Sequence, residues 1–377
     1  MAKPSIAVLG AGMGGLTTAA LLSRAGANVR LYEQAPAFAR VGAGIQMGPN
    51  AVRVLRHLGL EQRLRRNAFQ PAYWRNRTWD SGEITNDLPL GAEAEARHGA
   101  PYLLLHRADL HDALLSKVPE GIMNLGRQLV AVEQDDRAVT LRFDDGGAAR
   151  ADILIAADGL SSVVRDSVFG SDRPRYTGRV AYRAVFAADR LGGLELDDYT
   201  KWWGEDRHIV VYYLNPRRSE LYFTTSVPDP DWTSESWSAT GDMEDVRAAF
   251  DGFHQHVTRM LAACPATHKW AIADRDPMPS WTQGRIVLIG DACHPMTPYM
   301  AQGAAQAMED AMIMARAMAE VEFEDLPAAW RVFEATRHER ASRIQLISHG
   351  NQWMRERTDS DWLYRYDACT APLSAPA

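Results

Sequence analysis

Ser5-Ile-Ala-Val-Leu9-Gly10-Ala-Gly12-Met-Gly-Gly15 is the stretch that decides the fold. Residues 5–9 form an apolar run of strand length, and the glycines follow at once. Helical patterning then runs over 16–24 and stops at Gly26, and residues 28–33 read as a second strand. A strand–helix–strand unit of this kind needs a right-handed crossover and a parallel strand pair. In Gly10-x-Gly12-x-x-Gly15, the first glycine permits a tight turn. The second lets the backbone approach a pyrophosphate, and the third packs helix against strand. The helix amino terminus supplies unpaired N–H groups and a partial positive charge for the phosphates. Glu33 stands about twenty residues further on, where an acid takes the ribose hydroxyls of an adenosine. A dinucleotide site is therefore expected, although this motif alone does not separate FAD from NAD.

The rest of the composition narrows the class. The chain has 377 residues, 46% of them hydrophobic, which suits about two globular domains. Lysine and arginine number 41 against 48 acids, for a net charge of −7, and no basic stripe is present. Nucleic-acid binding is not expected from such a surface. Cys264, Cys293 and Cys369 are too few and too scattered for a disulfide framework or a zinc site, and a reducing, cytoplasmic setting follows. The glycines break the apolar amino-terminal stretch, so a signal peptide is not expected. Residues 300–321 contain Glu309, Asp310 and Arg316, which argues against a membrane span. His254-Gln-His256 has no further ligand at metal spacing, and no metal is expected.

Alternation marks the middle of the chain. Residues 178–186, 199–203, 208–214 and 220–227 read as successive antiparallel strands. Residues 229–240 read as a loop, and helical patterning returns over 243–263. A buried strand is expected over 285–290, with one long helix through Ala319 and another over 326–349; the tail after Thr370 reads as frayed. Asn50 is a candidate cap for a helix carrying Ala51, Leu55 and Leu58 on one face and ending at Gly59. The predicted fold is α/β: a Rossmann-like dinucleotide-binding domain, which two later motifs assign to FAD, with an inserted, mostly antiparallel substrate sheet and carboxyl-terminal helices. The expected boundaries are 1–71, 98–175 and 275–345 for the nucleotide domain, 72–97 and 176–274 for the substrate domain, and 346–377 for a helical segment and tail.

Two further motifs choose the cofactor. Ile153-Leu-Ile-Ala-Ala-Asp158-Gly159 and Ile286-Val-Leu-Ile-Gly290-Asp291 are apolar strands ending in Asp-Gly and Gly-Asp, the second followed by Pro295, Pro298 and Gly303. Each alone is a common turn. In this order after the glycine fingerprint, they resemble the class A flavoprotein aromatic hydroxylases related to para-hydroxybenzoate and salicylate hydroxylase. The resemblance covers residues 5–366. It implies that Asp291 holds the ribityl chain of FAD, that Asp158 and Gly159 serve FAD and NAD(P)H, and that Arg107 reaches the phosphate region, with Pro298 and Gly303 beside the flavin. A helix starting near Gly303 would point its amino terminus at the flavin pyrimidine ring and stabilise negative charge there. No second glycine fingerprint exists, so the reductant, NADH with NADPH left open, is expected to visit transiently.

Finer details look like the family members that hydroxylate a hydroxypyridine carboxylate with loss of its carboxyl group. They are Gly42-Ala-Gly-Ile-Gln-Met-Gly-Pro-Asn50, Thr200-Lys-Trp-Trp-Gly-Glu-Asp-Arg-His208-Ile-Val-Val-Tyr212-Tyr213 and Asp361-Trp-Leu-Tyr-Arg-Tyr-Asp367. The resemblance implies oxygen transfer from O2 through a flavin C4a-hydroperoxide to a small aromatic acid, in a monomer or homodimer. On a strand, His208, Val210 and Tyr212 share one face. His208 and Tyr212 are accordingly the candidate catalytic pair, to hold and deprotonate a ring hydroxyl so that the carbon para to it becomes electron-rich. Gln46, Tyr199 and Tyr299 are substrate-binding candidates, standing where those members carry histidine, cysteine and histidine. That departure leaves hydroxypicolinate, salicylate or hydroxybenzoate as competing substrates. Arg183 is a further carboxylate-binding candidate. A non-oxygenating flavin oxidoreductase, or a flavin-binding sensor, are the other readings the residues allow.

Overall fold

The computed structural model describes residues 4–40, 42–232, 239–321 and 326–374. Two sheets organise it. The first is six-stranded, in the order Thr282–Gln283, Ile286–Leu288, Ile153–Ala156, Ser5–Leu9, Asn28–Tyr32 and Met123–Asn124. Ser5–Leu9 lies at its heart, parallel to Asn28–Tyr32 on one side and to Ile153–Ala156 on the other. Helix Met13–Arg24 leaves the first glycine turn and packs along helix Gly303–Ala319. All four residues of Ile153–Ala156 are buried, as a strand covered on both faces requires.

The second sheet has eight strands, from Ala239–Gly241 through Thr267–Asp274, Arg175–Ala187, Glu220–Pro228, His208–Tyr213, Tyr199–Trp203 and Tyr73–Thr78 to Ile84–Pro89. Its strands come from between the segments that build the first sheet, so it is an insertion in sequence. The pairing is antiparallel except where Tyr199–Trp203 runs parallel to Tyr73–Thr78. Every residue of His208–Tyr213 and of Tyr199–Trp203 is buried, because helix Gln255–Ala263 and the cofactor-side elements cover both faces.

Several local expectations are corrected. Asn50 does not cap its helix. The helix is Pro49–His57, capped at Gly48, because Pro49 favours the first helical position. Asn50 instead turns inward, donating to Gln302 Oε1 at 2.9 Å and Glu309 Oε1 at 2.7 Å. Residues 243–263 are two helices, Met243–Ala249 and Gln255–Ala263, broken where Gly252 takes φ +78°. The expected loop 229–240 ends in strand pairing at Ala239–Gly241, and residues 233–238 of it lie outside the described residues. The tail is held as far as Ser374: Arg316 Nη1 donates to Ala368 O and Ala371 O, and the Ser374 N–H to Thr336 Oγ1. Among the described residues, no helix is long and apolar enough to cross a membrane.

Candidate active site

The glycine fingerprint is fixed by close backbone approach. Gly10 sits at φ +94°, and a Cβ there would lie 2.4 Å from Ala157 O, at the turn before Asp158. A Cβ on Gly15 would lie 1.8 Å from Gly10 O, so this helix can reach the strand only with glycine. At Gly12, the cap of the helix, nothing stands within 4 Å of that position. The helix terminus is therefore open exactly where phosphates need its N–H groups. A cavity of about 420 Å³ lies here, lined by Gly12, Glu33, Arg107 and His111 among others. The Glu33 carboxylate accepts from the Ala11 N–H at 2.7 Å and the Ala35 N–H at 2.8 Å, which orients it at the cavity wall.

A second cavity, about 280 Å³, shares no lining residue with the first. Asp291, Pro298 and Gly303 line it with Gln46, Arg183 and Tyr212. Asp291 is exposed to the cavity it lines, while the surrounding protein raises its carboxyl pKa against the pull of His294 and Arg107. Arg107, in the wall of the first cavity, in turn feels both Arg183 and Asp291 in the wall of the second, so the two cavities lie close to one another. Gly14 and Gly290 both pack on Ala307 of helix Gly303–Ala319, with Cβ positions that would lie 3.1 and 3.0 Å from its Cβ. Gly303 opens that helix, and the nearest atom to its missing Cβ is Asp291 Oδ1 at 3.7 Å. An elongated molecule with phosphates at one end and a flat ring at the other fits this pair of cavities, as FAD would. Arg183 lies over the Trp270 ring at 4.5 Å, in the same cavity wall. Asp158 and Gly159 line none of these cavities. The Asp158 carboxylate accepts from Ser162 Oγ at 2.6 Å and the Val164 N–H at 3.3 Å, and burial raises its pKa.

A third, narrow cavity of about 30 Å³ adjoins the second and shares Gln46, Thr224, Pro298 and Ala301 with it. Tyr199, Lys201, His208 and Tyr299 line only the narrow one, and Tyr212 only the wider one. Gln46 joins the two, since its Oε1 accepts from Tyr199 Oη at 2.7 Å and from Tyr102 Oη at 2.8 Å. Burial raises the phenol pKa of Tyr199 and Tyr212 well above the ordinary value, so both are hydrogen-bond donors at neutral pH. The His208 ring stands edge-on to Tyr299, 5.4 Å away. Burial, then the positive charges of Lys201 and Arg179, lowers its pKa well below that of a free imidazole. Tyr299 Oη lies 3.0 Å from Ser226 Oγ, which accepts from Arg179 Nε at 2.7 Å.

Lys201, Tyr102, Trp74 and Thr224 were not singled out from the sequence. Lys201 carried a signal, as the one charged residue in a five-residue strand, but alternation alone gives no inside or outside to a strand buried on both faces. His254 and His256 lie together beside Trp202, away from these cavities. One cluster of metal-ligand type occurs among the described residues, Cys293, His294 and Asp310, and its carboxylate is already bonded to Arg337 and the Gly290 N–H.

Comparison with known proteins agrees with this geometry. The "FAD binding domain" family model matches residues 3–347. The chain is 46% identical to 6-hydroxynicotinate 3-monooxygenase of Bordetella bronchiseptica, over 98% of this chain and 97% of that protein. It is 39% identical to 3-amino-4-hydroxybenzoate 2-monooxygenase PtnB3 of Streptomyces platensis, over 99% and 98%. Among solved structures, HpxO of Klebsiella pneumoniae complexed with FAD and uric acid superposes with a TM-score of 0.83 at 28% identity, covering 96% of this chain and 92% of that one. With Gly12 lining one of two neighbouring cavities and Asp291 and Gly303 the other, the chain belongs to the FAD-binding-domain family, as one of its FAD-dependent aromatic-ring monooxygenases.

Proposed function

We propose that the protein hydroxylates 6-hydroxynicotinate at the carbon bearing its carboxyl group, releasing carbon dioxide and 2,5-dihydroxypyridine, with NADH as reductant. The observation that carries this reading is the junction of the narrow and wide cavities at Gln46, Thr224, Pro298 and Ala301. It places an aromatic-lined recess beside the groove that suits the flavin. The flavin supplies the reduction and activation of oxygen. The chain supplies everything else. Gly12, Glu33 and Arg107 would hold the adenosine and phosphate end; Asp291, Pro298 and Gly303 would hold the ring end, with Asp158 and Gly159 fixing the neighbouring turn. The amino terminus of helix Gly303–Ala319 favours negative charge where it opens onto the cavity.

His208 and Tyr212 form the reacting pair in this reading. His208 hydrogen-bonds the ring hydroxyl at the narrow end, Tyr212 donates from the wide end, and loss of the hydroxyl proton enriches the para carbon. Tyr199 and Tyr299 shape the recess and exclude water, and Tyr102 holds Gln46 in its wall from behind. The donors at Gln46, Tyr199 and Tyr299 also suit a hydroxylated benzoate, picolinate or salicylate, and this second reading shares the cofactor and cavity. The enzyme works on small aromatic acids and O2 in the cytoplasm, as a monomer or homodimer.

A panel of hydroxypyridine and hydroxybenzoate acids, scored by stimulated NADH oxidation and product mass, tests the reading. 6-Hydroxynicotinate should give the largest stimulation, with a product that has gained oxygen and lost carbon dioxide. His208→Ala and Tyr212→Phe should slow hydroxylation far more than they reduce FAD retention. Unchanged turnover in both variants would assign those side chains to packing.

A further inference from the structure

Lys201 is a buried amine, 1% exposed, in the wall of the narrow cavity. Its neighbourhood holds no anion. Its Nζ lies 3.8 Å from the centroid of the Trp203 ring, and among the described residues no carboxylate pairs with it. The two strands beside it present Asn76 and Val210 opposite its position. The charged groups acting on this corner are Arg179 and Arg355, and the titratable ones beside Lys201 are the His208 imidazole and the Tyr199 and Tyr299 phenols, with no carboxylate among them. Elsewhere in the protein, buried charges are matched by opposite ones within hydrogen-bond distance, as Arg337 is by Glu309 and Asp310. A lone buried ammonium is costly, so the amine stands uncharged until a ligand brings in an acid that can give it a proton and leave an anion beside it.

Size and position say which part of a ligand supplies it. About 30 Å³ holds a substituent of one or two atoms, not a ring. Lys201 and His208 border this recess alone, whereas Asp291 and Gly303 border the wider cavity. A ring attacked from the flavin side at one carbon points the substituent para to that carbon away from the flavin. The recess therefore receives the ring oxygen, not the carboxylate on the attacked carbon.

We propose that Lys201 holds the substrate's ring oxygen as an oxyanion, receiving the hydroxyl proton on its amine nitrogen. The O–H bond breaks, its electron pair stays on oxygen, and an N–H bond forms. An ammonium then faces an oxyanion, and the net charge of the cavity is unchanged. Burial, and secondarily Arg355, lowers the Lys201 pKa well below the ordinary lysine value, which makes the neutral amine available as the acceptor. His208, which burial makes a poor base, orients the oxygen. This inference rests on the reading of the narrow cavity as part of the substrate site.

Ultraviolet difference titration of 6-hydroxynicotinate bound to the FAD-loaded protein reads the ionisation of the ring hydroxyl directly. In the wild type it should ionise about 1–3 pH units below the free ligand, the shift an opposite charge at contact produces. In Lys201→Met the bound ligand should ionise at or above the free value, while nicotinate, which lacks the hydroxyl, binds both proteins equally. Lys201→Gln provides the same comparison if the methionine variant loses FAD. A wild-type ligand that ionises like the free one, or a variant that leaves the shift intact while His208→Ala abolishes it, would overturn the proposal without touching the cavity reading. A weakening of nicotinate and 6-hydroxynicotinate alike in Lys201→Met would assign Lys201 to the carboxylate and overturn it too. If both Lys201→Met and His208→Ala leave both affinities unchanged, the cavity is not the substrate site and the proposal fails with it.

Discussion

Two buried charge clusters flank helix Gly303–Ala319 and its amino-terminal approach, and they are built on opposite principles. Beneath the helix, Arg337 donates to Glu309 Oε2 at 2.6 Å and Asp310 Oδ1 at 2.8 Å, and Arg340 donates to both oxygens of Glu309. Asn50 and Gln306 complete the shell of Glu309, and the Gly290 N–H and His294 that of Asp310. Charges of both signs are present and hydrogen-bonded. In the narrow cavity, Lys201 lies among aromatic rings and a depressed imidazole, with Arg179 and Arg355 the other charges acting there. The first arrangement fixes the framework that carries the Gly290-Asp291 turn. The second holds a base with no partner, and the missing acid belongs to a ligand. A buried ionisable group satisfied by the chain supports structure, while one left unmatched marks where chemistry enters.

The contrast can be broken most forcefully at Arg337. Arg337→Met leaves two buried carboxylates short of a cation, and should cost about 3–5 kcal/mol in chemical denaturation. A loss under about 1 kcal/mol would show the cluster to be dispensable. Lys201→Met should move stability the other way, by up to about 2 kcal/mol in favour of the fold, because it removes a buried polar amine the protein does not match. Destabilisation of that size would mean that Lys201 serves the framework after all.

Acid titration separates the clusters by pH. Burial alone would raise the Asp310 carboxyl, but His294 and Arg337 outweigh it and hold the pKa at about 2. A carboxyl depressed on folding contributes stability above its unfolded pKa of about 4, and that stability drains away as pH falls toward 2. Stability measured between pH 5 and 2 should therefore fall less steeply in Asp310→Asn, which starts lower. Parallel curves would remove Asp310 from the account. The smallest effect is expected at Tyr199→Phe, which forfeits one hydrogen bond to Gln46. About 1 kcal/mol of ligand affinity should be lost, with FAD content unchanged.

The cofactor half of the molecule was legible because its constraints are local and act on the backbone. Only glycine permits the Gly15 approach to Gly10 O, and the spacing to Glu33 follows from one strand–helix–strand unit. Tyr73–Thr78 and the edge strand Ile84–Pro89 escaped individual notice, since charged residues such as Arg75, Arg77 and Asp87 blur their alternation. The helix start at Pro49 was legible but misread, because a capping asparagine and a first-turn proline compete and the proline prevailed. The narrow cavity was the least visible part. Gln46, Lys201, His208 and Tyr299 come from separate elements, and only the packing of the eight-stranded sheet against the flavin groove brings them together. Lys201 in particular reads as an ordinary surface lysine until both faces of its strand are seen to be covered.

The central claim is that one groove holds a flavin and an aromatic acid so that oxygen reaches the ring. Turnover of purified, yellow protein with 6-hydroxynicotinate, NADH and isotopically labelled dioxygen tests it most directly. The account predicts a dihydroxypyridine carrying one labelled oxygen, with carbon dioxide released and one NADH consumed per product. NADH oxidation that yields only hydrogen peroxide, with no labelled product from 6-hydroxynicotinate or any other aromatic acid in the panel, would contradict it.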